Sequence, residues 1–290
     1  MDGPSVGLEQ QLNLAAVCQM TSTEDKEDNF KQASHLIERA VKMGAKMVFL
    51  PEAVDYIAST KEKSKSMAEP LTGQTVSNYA ELAKRHQIWI SLGGIHESVP
   101  AEAEGGKIYC SHVILNPEGQ IVSVYHKAHL FGAQIEGKLN LQESNCILHG
   151  QKMSEIVDTP IGKLAPMICY DVRFPEMSTA LTQRGAEILA YPSAFMLLTG
   201  MAHWEVLLRS RAIENQCYVV AAAQTGKHYE RNSYGRAMIV DPWGCVVACC
   251  HEGLDVAVAN IDLTYLQKVR SGMSVMQHRR HDLYGNLGSQ

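Results

Sequence analysis

The chain has 290 residues, of which 46% are hydrophobic, so it can bury one large core or two ordinary ones. Its formal net charge of -5 lacks the basic footprint of a nucleic-acid-binding protein. No apolar run approaches the roughly 18 residues of a membrane-spanning helix, and the N-terminus lacks a secretory signal pattern. We therefore expect neither nucleic acid nor a membrane among its partners.

The cysteines indicate a reducing, intracellular compartment. No two of them have the C-x-x-C spacing of zinc sites and thioredoxin-type motifs, so we expect no bound metal. A disulfide between the adjacent Cys249 and Cys250 would be strained, and free thiols persist inside cells. The cysteines are Cys18, Cys110, Cys146, Cys169, Cys217, Cys245, Cys249 and Cys250.

Short apolar strands alternate with amphipathic helices along the whole chain. In the first half, the pattern predicts strands over 12–18, 47–50, 88–92, 108–115 and 120–126, and helices over about 23–44 and 76–86. In the second half, it predicts strands over 164–168, 187–191, 217–224, 236–240, 245–250 and 255–261, and helices over about 175–184, 203–215 and 262–270.

Two turns of the same form suggest that the chain has two similar halves. Asn116-Pro117-Glu118-Gly119 and Asp241-Pro242-Trp243-Gly244 each join two strands, with Pro and Gly at positions that suit their backbone preferences. No linker rich in Pro, Gly or Ser divides the halves. We predict an α/β layered fold with mixed sheets in one domain over 11–284, preceded by a flexible segment over 1–10.

Three reactive side chains follow predicted strands directly. Glu52, Lys127 and Cys169 come after the strands 47–50, 120–126 and 164–168. Ligand crevices in α/β folds lie at strand ends, so a carboxylate, an ammonium and a thiol are expected to meet at one end of a sheet.

This combination of groups indicates acyl transfer through a thioester. Cys169 is the candidate nucleophile, and Glu52 the base that takes the proton from the thiol and later from water. Lys127 is expected to face the developing oxyanion beside the backbone N–H of Tyr170 and to favour the thiolate. His126 and His129 flank the lysine and invite a Cys–His alternative, but we interpret them as orienting groups.

The sequence around these residues resembles the three signatures of the nitrilase superfamily. Three signatures in the family order are specific, whereas any one alone would be weak. The segments are Leu50-Pro51-Glu52-Ala53, His126-Lys127-Ala128-His129-Leu130-Phe131 and Ile168-Cys169-Tyr170-Asp171-Val172-Arg173-Phe174-Pro175-Glu176.

The resemblance implies an α-β-β-α sandwich, in which two mixed sheets are flanked by helices, and a Glu–Lys–Cys triad that needs no cofactor. It also implies that Glu143 is a second glutamate that positions the catalytic lysine. Family members pair through a helical layer, so a homodimer or homotetramer is expected. The implied compartment is the cytoplasm, with a mitochondrial form as the open alternative.

Further segments resemble the deaminated glutathione amidase branch of the superfamily. They lie at 191–195, 202–209, 216–224, 277–280 and 283–288. This resemblance implies hydrolysis of N-(4-oxoglutaryl)-L-cysteinylglycine to 2-oxoglutarate and Cys-Gly. Two alternatives stay open: an ω-amidase that acts on 2-oxoglutaramate, and a nitrilase fold that has lost catalysis and serves as an interaction module.

A substrate with carboxylates requires a cation in the pocket. Arg173, four residues after Cys169, is the candidate because a guanidinium binds a carboxylate with two hydrogen bonds. The alternative for Arg173 is an ion pair with Asp171. We also expect Tyr170, Phe195 and Thr199 to line the substrate pocket.

Overall fold

The computed structural model describes residues 12–100, 106–135, 139–229 and 231–289. The predicted flexible segment 1–10 lies outside these residues. The helices are α1 (Lys26–Lys42), α2 (Lys61–Met67), α3 (Gln74–His86), α4 (Pro175–Gln183), α5 (Leu197–Asn215), α6 (Leu263–Gly272) and α7 (His281–Tyr284).

The strands of the first half of the chain are β1 (Leu14–Met20), β2 (Met47–Phe49), β3 (Trp89–Glu97), β4 (Tyr109–Leu115), β5 (Ile121–His126), β6 (Gly132–Ile135) and β7 (Leu139–Gln142). Those of the second half are β8 (Val157–Thr159), β9 (Gly162–Pro166), β10 (Ile188–Ala190), β11 (Tyr218–Ala221), β12 (Ala223–His228), β13 (Arg231–Tyr234), β14 (Met238–Val240), β15 (Val246–Cys249) and β16 (Asp255–Asn260).

Two mixed sheets form the centre of the fold. The first has the order β13-β12-β1-β2-β3-β4-β5, and β16 also pairs with β1. The second has the order β15-β14-β11-β10-β9-β8, while β6 and β7 form a separate hairpin. Parallel pairs lie in the middle of each sheet and antiparallel pairs towards its edges.

The alternation of side chains along β1 shows how the layers stack. Ala15 and Val17 pack in the core shared with the second sheet, while Ala16 and Cys18 pack against α1 and α3. Helices α4 and α5 cover the second sheet with the buried side chains of Leu181, Trp204, Leu208 and Ala212. The layers therefore follow the order α-β-β-α that the sequence predicts.

Local sequence explains where helix α1 begins and ends. Helix α1 begins after Asp25, whose side chain accepts hydrogen bonds from the N–H groups of Glu27 and Asp28. This cap lies two residues later than the start predicted at Thr23. The chain leaves α1 at Gly44, where φ is +84°.

Several elements in the structure differ from the predicted ones. The predicted strand 217–224 is two strands, because the chain crosses at Ala222 from the second sheet to the first. Strand β3 does not stop at Gly93 but continues to Glu97 through an irregularity in its pairing with β4. Helix α5 begins six residues earlier than predicted, at Leu197.

No helix within the described ranges is long and apolar enough to cross a membrane.

Candidate active site

Glu52 lies in the turn that follows β2, and its side chain is almost fully buried. Ala53 has φ of +56°, and its N–H donates to the carbonyl of Gly94 at 2.9 Å. A Cβ on Gly94 would lie 2.8 Å from Cγ of Glu52, and φ at Gly94 is +59°. A glycine is therefore required at this position for the Glu52 side chain to fit.

Lys127 follows β5 directly, and only 1% of it is exposed. Its Nζ donates to Oε1 of Glu52 at 2.8 Å and to Oε2 and Oε1 of Glu143 at 2.8 and 3.0 Å. Burial by itself lowers the pKa of Lys127, but the charges of Glu143 and Glu52 raise it well above its usual value. The ammonium is therefore charged at neutral pH and held between two carboxylates.

Backbone N–H groups fix both carboxylates. Ala194 donates to Oε2 of Glu52 at 3.0 Å, and Phe131 donates to Oε2 of Glu143 at 2.8 Å. These bonds hold each carboxylate in position while it also accepts a hydrogen bond from Lys127.

Cys169 stands on a sharp turn after β9. Its φ is +44°, a left-handed conformation that side chains other than glycine rarely adopt and that often marks functional sites. Its N–H donates to the carbonyl of Pro192 at 2.9 Å. A short 3-10 helix, Cys169–Arg173, begins at the thiol, and N–H groups in the first turn of a helix have no partner within it.

The thiol is protonated at neutral pH. Burial raises the pKa of Cys169 well above its ordinary value, the charge of Glu52 raises it further, and Lys127 lowers it. The charge of Lys127 acts in the expected direction, towards the thiolate, but burial outweighs it. Nucleophilic attack by this thiol requires a base.

Asp171 anchors the turn beneath the thiol and is fully buried. It accepts hydrogen bonds from Tyr125 Oη at 2.8 Å, from Ile168 N at 2.9 Å and from His129 Nδ1 at 2.8 Å. These donors leave Asp171 occupied, so the alternative ion pair with Arg173 does not form. His129 thus contacts the turn, and His126 bonds to Glu97 instead of the lysine.

A cavity of about 410 Å³ opens onto these groups, a volume suited to a small molecule. The side chains of Glu52, Glu143 and Cys169 line it together with all four predicted substrate-binding residues: Tyr170, Arg173, Phe195 and Thr199. Lys127 lies behind this wall. The structure therefore brings together every residue that the sequence singled out for the site.

The Arg173 guanidinium is available to a ligand. It lies over the rings of Phe195 and Tyr170, 5.3 and 5.8 Å from their centroids, and donates to His203 Nδ1 at 3.3 Å. Lys61 and Arg231 also line the cavity. None of these three cations forms an ion pair with any residue that the structure describes, whereas Lys127 pairs with both Glu52 and Glu143.

Sequence reasoning missed several groups that shape the site. The Ala194 N–H carries no side-chain signal, and Gln224 binds through its amide to the carbonyls of Glu52 and Ala53. The Cys110 Sγ lies 3.9 Å from Oε1 of Glu52. Of these three groups, only Gln224 has a signal in the sequence, because it is a polar residue at the end of an apolar run.

No cluster of His, Cys, Asp and Glu side chains within the described ranges is arranged to hold a metal ion.

Comparison with known proteins identifies relatives across almost the whole chain. The sequence model of the carbon-nitrogen hydrolase family matches residues 14–271. A Bos taurus protein named deaminated glutathione amidase is 54% identical over 279 residues, which cover 96% of this chain and 85% of the relative.

Solved structures share the fold. The C. elegans NitFhit protein has a TM-score of 0.88 and 50% identity, over 94% of this chain and 66% of that one. Saccharomyces cerevisiae Nit3, described as a member of branch 10 of the nitrilase superfamily, has a TM-score of 0.82 and 32% identity, over 92% of this chain and 96% of that one.

The high pKa of the Cys169 thiol predicts how it reacts with iodoacetamide. Alkylation of Cys169 should be slow at neutral pH and should accelerate about tenfold per pH unit towards alkaline pH, because only the thiolate reacts. Glu52→Gln removes a negative charge that raises this pKa, so more of the thiol is ionised at pH 8 and we expect its alkylation to be faster than in the wild type.

Mass spectrometry of the Cys169 peptide measures this rate separately from the other thiols. The control is Glu118→Gln, an exposed glutamate in the β4–β5 turn, which should react like the wild type. Slower alkylation in Glu52→Gln than in the wild type would contradict the electrostatic account.

Proposed function

Since the chain belongs to the carbon-nitrogen hydrolase family, we propose that it is an amidase that hydrolyses deaminated glutathione, N-(4-oxoglutaryl)-L-cysteinylglycine, to 2-oxoglutarate and Cys-Gly. The observation that carries the proposal is the Glu52–Lys127–Glu143 cluster behind a cavity lined by Cys169 and by cations that form no ion pair with a described residue. A substrate with a carboxylate at each end suits such a cavity. Its hydrolysis would remove a transaminated form of glutathione.

In the first half of the proposed reaction, Glu52 takes the proton from the Cys169 thiol, and the sulfur attacks the amide carbon. The charge that develops on the amide oxygen is stabilised by the Lys127 ammonium and the N–H of Tyr170. Collapse of this intermediate breaks the C–N bond, and protonated Glu52 gives its proton to the departing nitrogen of Cys-Gly. The products are a thioester on Cys169 and the free dipeptide.

In the second half, Glu52 removes a proton from water, which attacks the thioester carbon. The same donors stabilise the second oxyanion, and the sulfur leaves as the C–S bond breaks. Protonated Glu52 returns its proton to the thiolate, which releases 2-oxoglutarate. Glu143 takes no proton in this scheme; it holds Lys127 in place.

We propose that Arg173 binds the carboxylate of the oxoglutaryl group, and that Tyr170, Phe195 and Thr199 shape the surrounding wall. The stacking over two rings holds the guanidinium in the cavity wall, where a carboxylate can take the place of His203 as the acceptor of its N–H groups.

A single domain over 11–284 is proposed because strands from the two ends of the chain, β1 and β16, pair in one sheet. The cytoplasm is the proposed compartment, with mitochondria as the alternative. All eight cysteines are free, which supports a reducing environment.

We propose that two copies of the chain pair through α5. Leu198, Met201 and Val206 on this helix are 69%, 68% and 64% exposed. Trp243 is 55% exposed in the β14–β15 turn, which adjoins α5 because Arg209 donates to the carbonyl of Gly244 at 2.7 Å. Exposed apolar side chains grouped in this way mark an interface.

Hydrolysis of deaminated glutathione tests the proposed activity. The wild type should release 2-oxoglutarate, and Cys169→Ala should reduce the release by more than about 10⁴-fold because it lacks the nucleophile. The control is Cys245→Ala, which removes an exposed thiol away from the cavity. Release measured by mass spectrometry that persists in Cys169→Ala contradicts the assigned nucleophile.

The same assay with 2-oxoglutaramate separates the proposal from an ω-amidase. A higher kcat/KM for 2-oxoglutaramate than for deaminated glutathione would favour the ω-amidase. Hydrolysis of neither amide would favour the non-catalytic module.

Arg173→Lys keeps a positive charge but loses the planar pair of donors. We expect kcat/KM to fall about 10- to 100-fold for amides whose acyl group carries a carboxylate, and much less for a neutral acyl analogue. Arg85→Lys, an exposed arginine on α3, is the matched control. Equal losses on charged and neutral acyl groups would rule out carboxylate binding by Arg173.

Light scattering after size-exclusion chromatography tests the pairing. The wild type should have about twice the chain mass of 32.0 kDa. Val206→Glu should shift the protein towards monomer, because the interface would then bury a carboxylate. Val122→Glu, at an exposed apolar position on β5, should not do so. A monomeric wild type would disprove the dimer.

A further inference from the structure

The β12–β13 hairpin forms a second polar wall of the cavity. His228, Arg231, Asn232 and Ser233 line it there. The Tyr234 N–H donates to the carbonyl of Phe195 at 2.9 Å, which ties the hairpin to the loop that bears Phe195. None of the proposed catalytic steps uses these side chains.

His228 is a buried histidine with one occupied and one unoccupied ring nitrogen. It is 4% exposed, and Nδ1 lies 2.8 Å from the carbonyl oxygen of Ser22. A carbonyl oxygen only accepts, so Nδ1 carries the proton. Burial lowers the pKa of His228, so the ring is neutral at neutral pH. Nε2 is therefore a hydrogen-bond acceptor.

Nε2 is buried and has no hydrogen-bond partner among the described residues. A buried acceptor without a donor is destabilising, and His228 belongs to the cavity wall, so a small movement that lets a donor of a ligand reach Nε2 is favourable. The ring is held in position, because Ser22 also donates from its N–H to Gln224, whose amide donates to the Glu52 carbonyl. His228 is thus linked through two residues to the base.

Arg231 faces the same part of the cavity. It is the antiparallel partner of His228, and side chains of directly paired residues project from the same face of a sheet. The charge of Arg231 is one of the influences that lower the pKa of His228, which also places the two groups near each other. The pair therefore offers an acceptor and a cation side by side.

The proposed substrate has donors on one half only. At neutral pH the oxoglutaryl group carries a ketone and a carboxylate, which only accept hydrogen bonds. The Cys-Gly half carries amide N–H groups and ends in a carboxylate. An acceptor beside a cation therefore complements the leaving group and not the acyl group.

We propose that His228 and Arg231 form the leaving-group subsite, in which Nε2 accepts a peptide N–H and the guanidinium binds the terminal carboxylate. This inference rests on the proposed function and extends it. The subsite selects amides whose nitrogen carries a peptide over primary amides, which release ammonia.

The test compares two amides with the same oxoglutaryl group, deaminated glutathione and 2-oxoglutaramate. His228→Asn places an amide near the position of Nδ1, so it can still bond to Ser22, but it lacks Nε2. We expect the ratio of kcat/KM for the peptidyl amide to that for the primary amide to fall about tenfold. His228→Gln restores an acceptor near Nε2, so its ratio should lie closer to that of the wild type even if its melting temperature is lower.

Arg231→Gln tests the cation with deaminated glutathione and its C-terminal glycinamide. The wild type should prefer the free carboxylate, and the variant should lose about 10-fold or more of that preference. Arg85→Gln serves as the matched control and should keep both ratios.

The outcomes distinguish failure of the proposed amidase activity from failure of the leaving-group subsite. A wild type that hydrolyses the primary amide but not deaminated glutathione contradicts the proposed function, and the subsite with it. An active wild type whose two substrate ratios stay the same in His228→Asn and Arg231→Gln leaves the function standing and overturns the subsite alone.

Discussion

The buried ammonium of Lys127 is the constraint on which the rest of the site depends. An ion of this size costs several kcal/mol to bury, and only close opposite charges with good hydrogen bonds offset that cost. Glu52 and Glu143 supply both charges. Removing either carboxylate takes from Lys127 one opposite charge and the hydrogen-bond acceptor that goes with it, so we expect both residues to stabilise the fold as well as supporting the proposed chemistry. Backbone N–H groups of Ala194 and Phe131 complete the arrangement.

The same cluster of charges influences the pKa of the Cys169 thiol. Because the lysine is neutralised by two carboxylates, its charge does not overcome the burial of Cys169. The enzyme that we propose therefore keeps a protonated, weakly reactive thiol until Glu52 accepts the proton. The left-handed backbone conformations of Cys169 and Ala53 turn the chain sharply beside the two reacting groups, the thiol and the Glu52 carboxylate. Asp171 supports this conformation by accepting hydrogen bonds from Tyr125, Ile168 and His129.

The apolar strands and the polar residues that follow them were predictable, because both are local patterns. This is why Glu52, Lys127 and Cys169 were found together from sequence. The crossing at Ala222 was not predictable, since the apolar run continues while the chain changes sheets. Helix α2 buries none of its residues and shows no apolar face, so periodicity could not reveal it. The role that we propose for His228 depends on a contact with Ser22, more than 200 positions away in sequence. Such pairings are set by topology and leave no local pattern.

The pairing of β1 with β16 has a consequence for how the chain folds. Strand β1 lies inside the first sheet, and one of its edges is covered only by β12 and β16 from the C-terminal half. During synthesis this edge stays open until β12 and β16 have left the ribosome. Closing so long a loop is entropically costly, which makes assembly slow and leaves an apolar edge exposed to other chains. We therefore expect a nascent chain of this protein to be prone to aggregation until β12 and β16 have paired with β1.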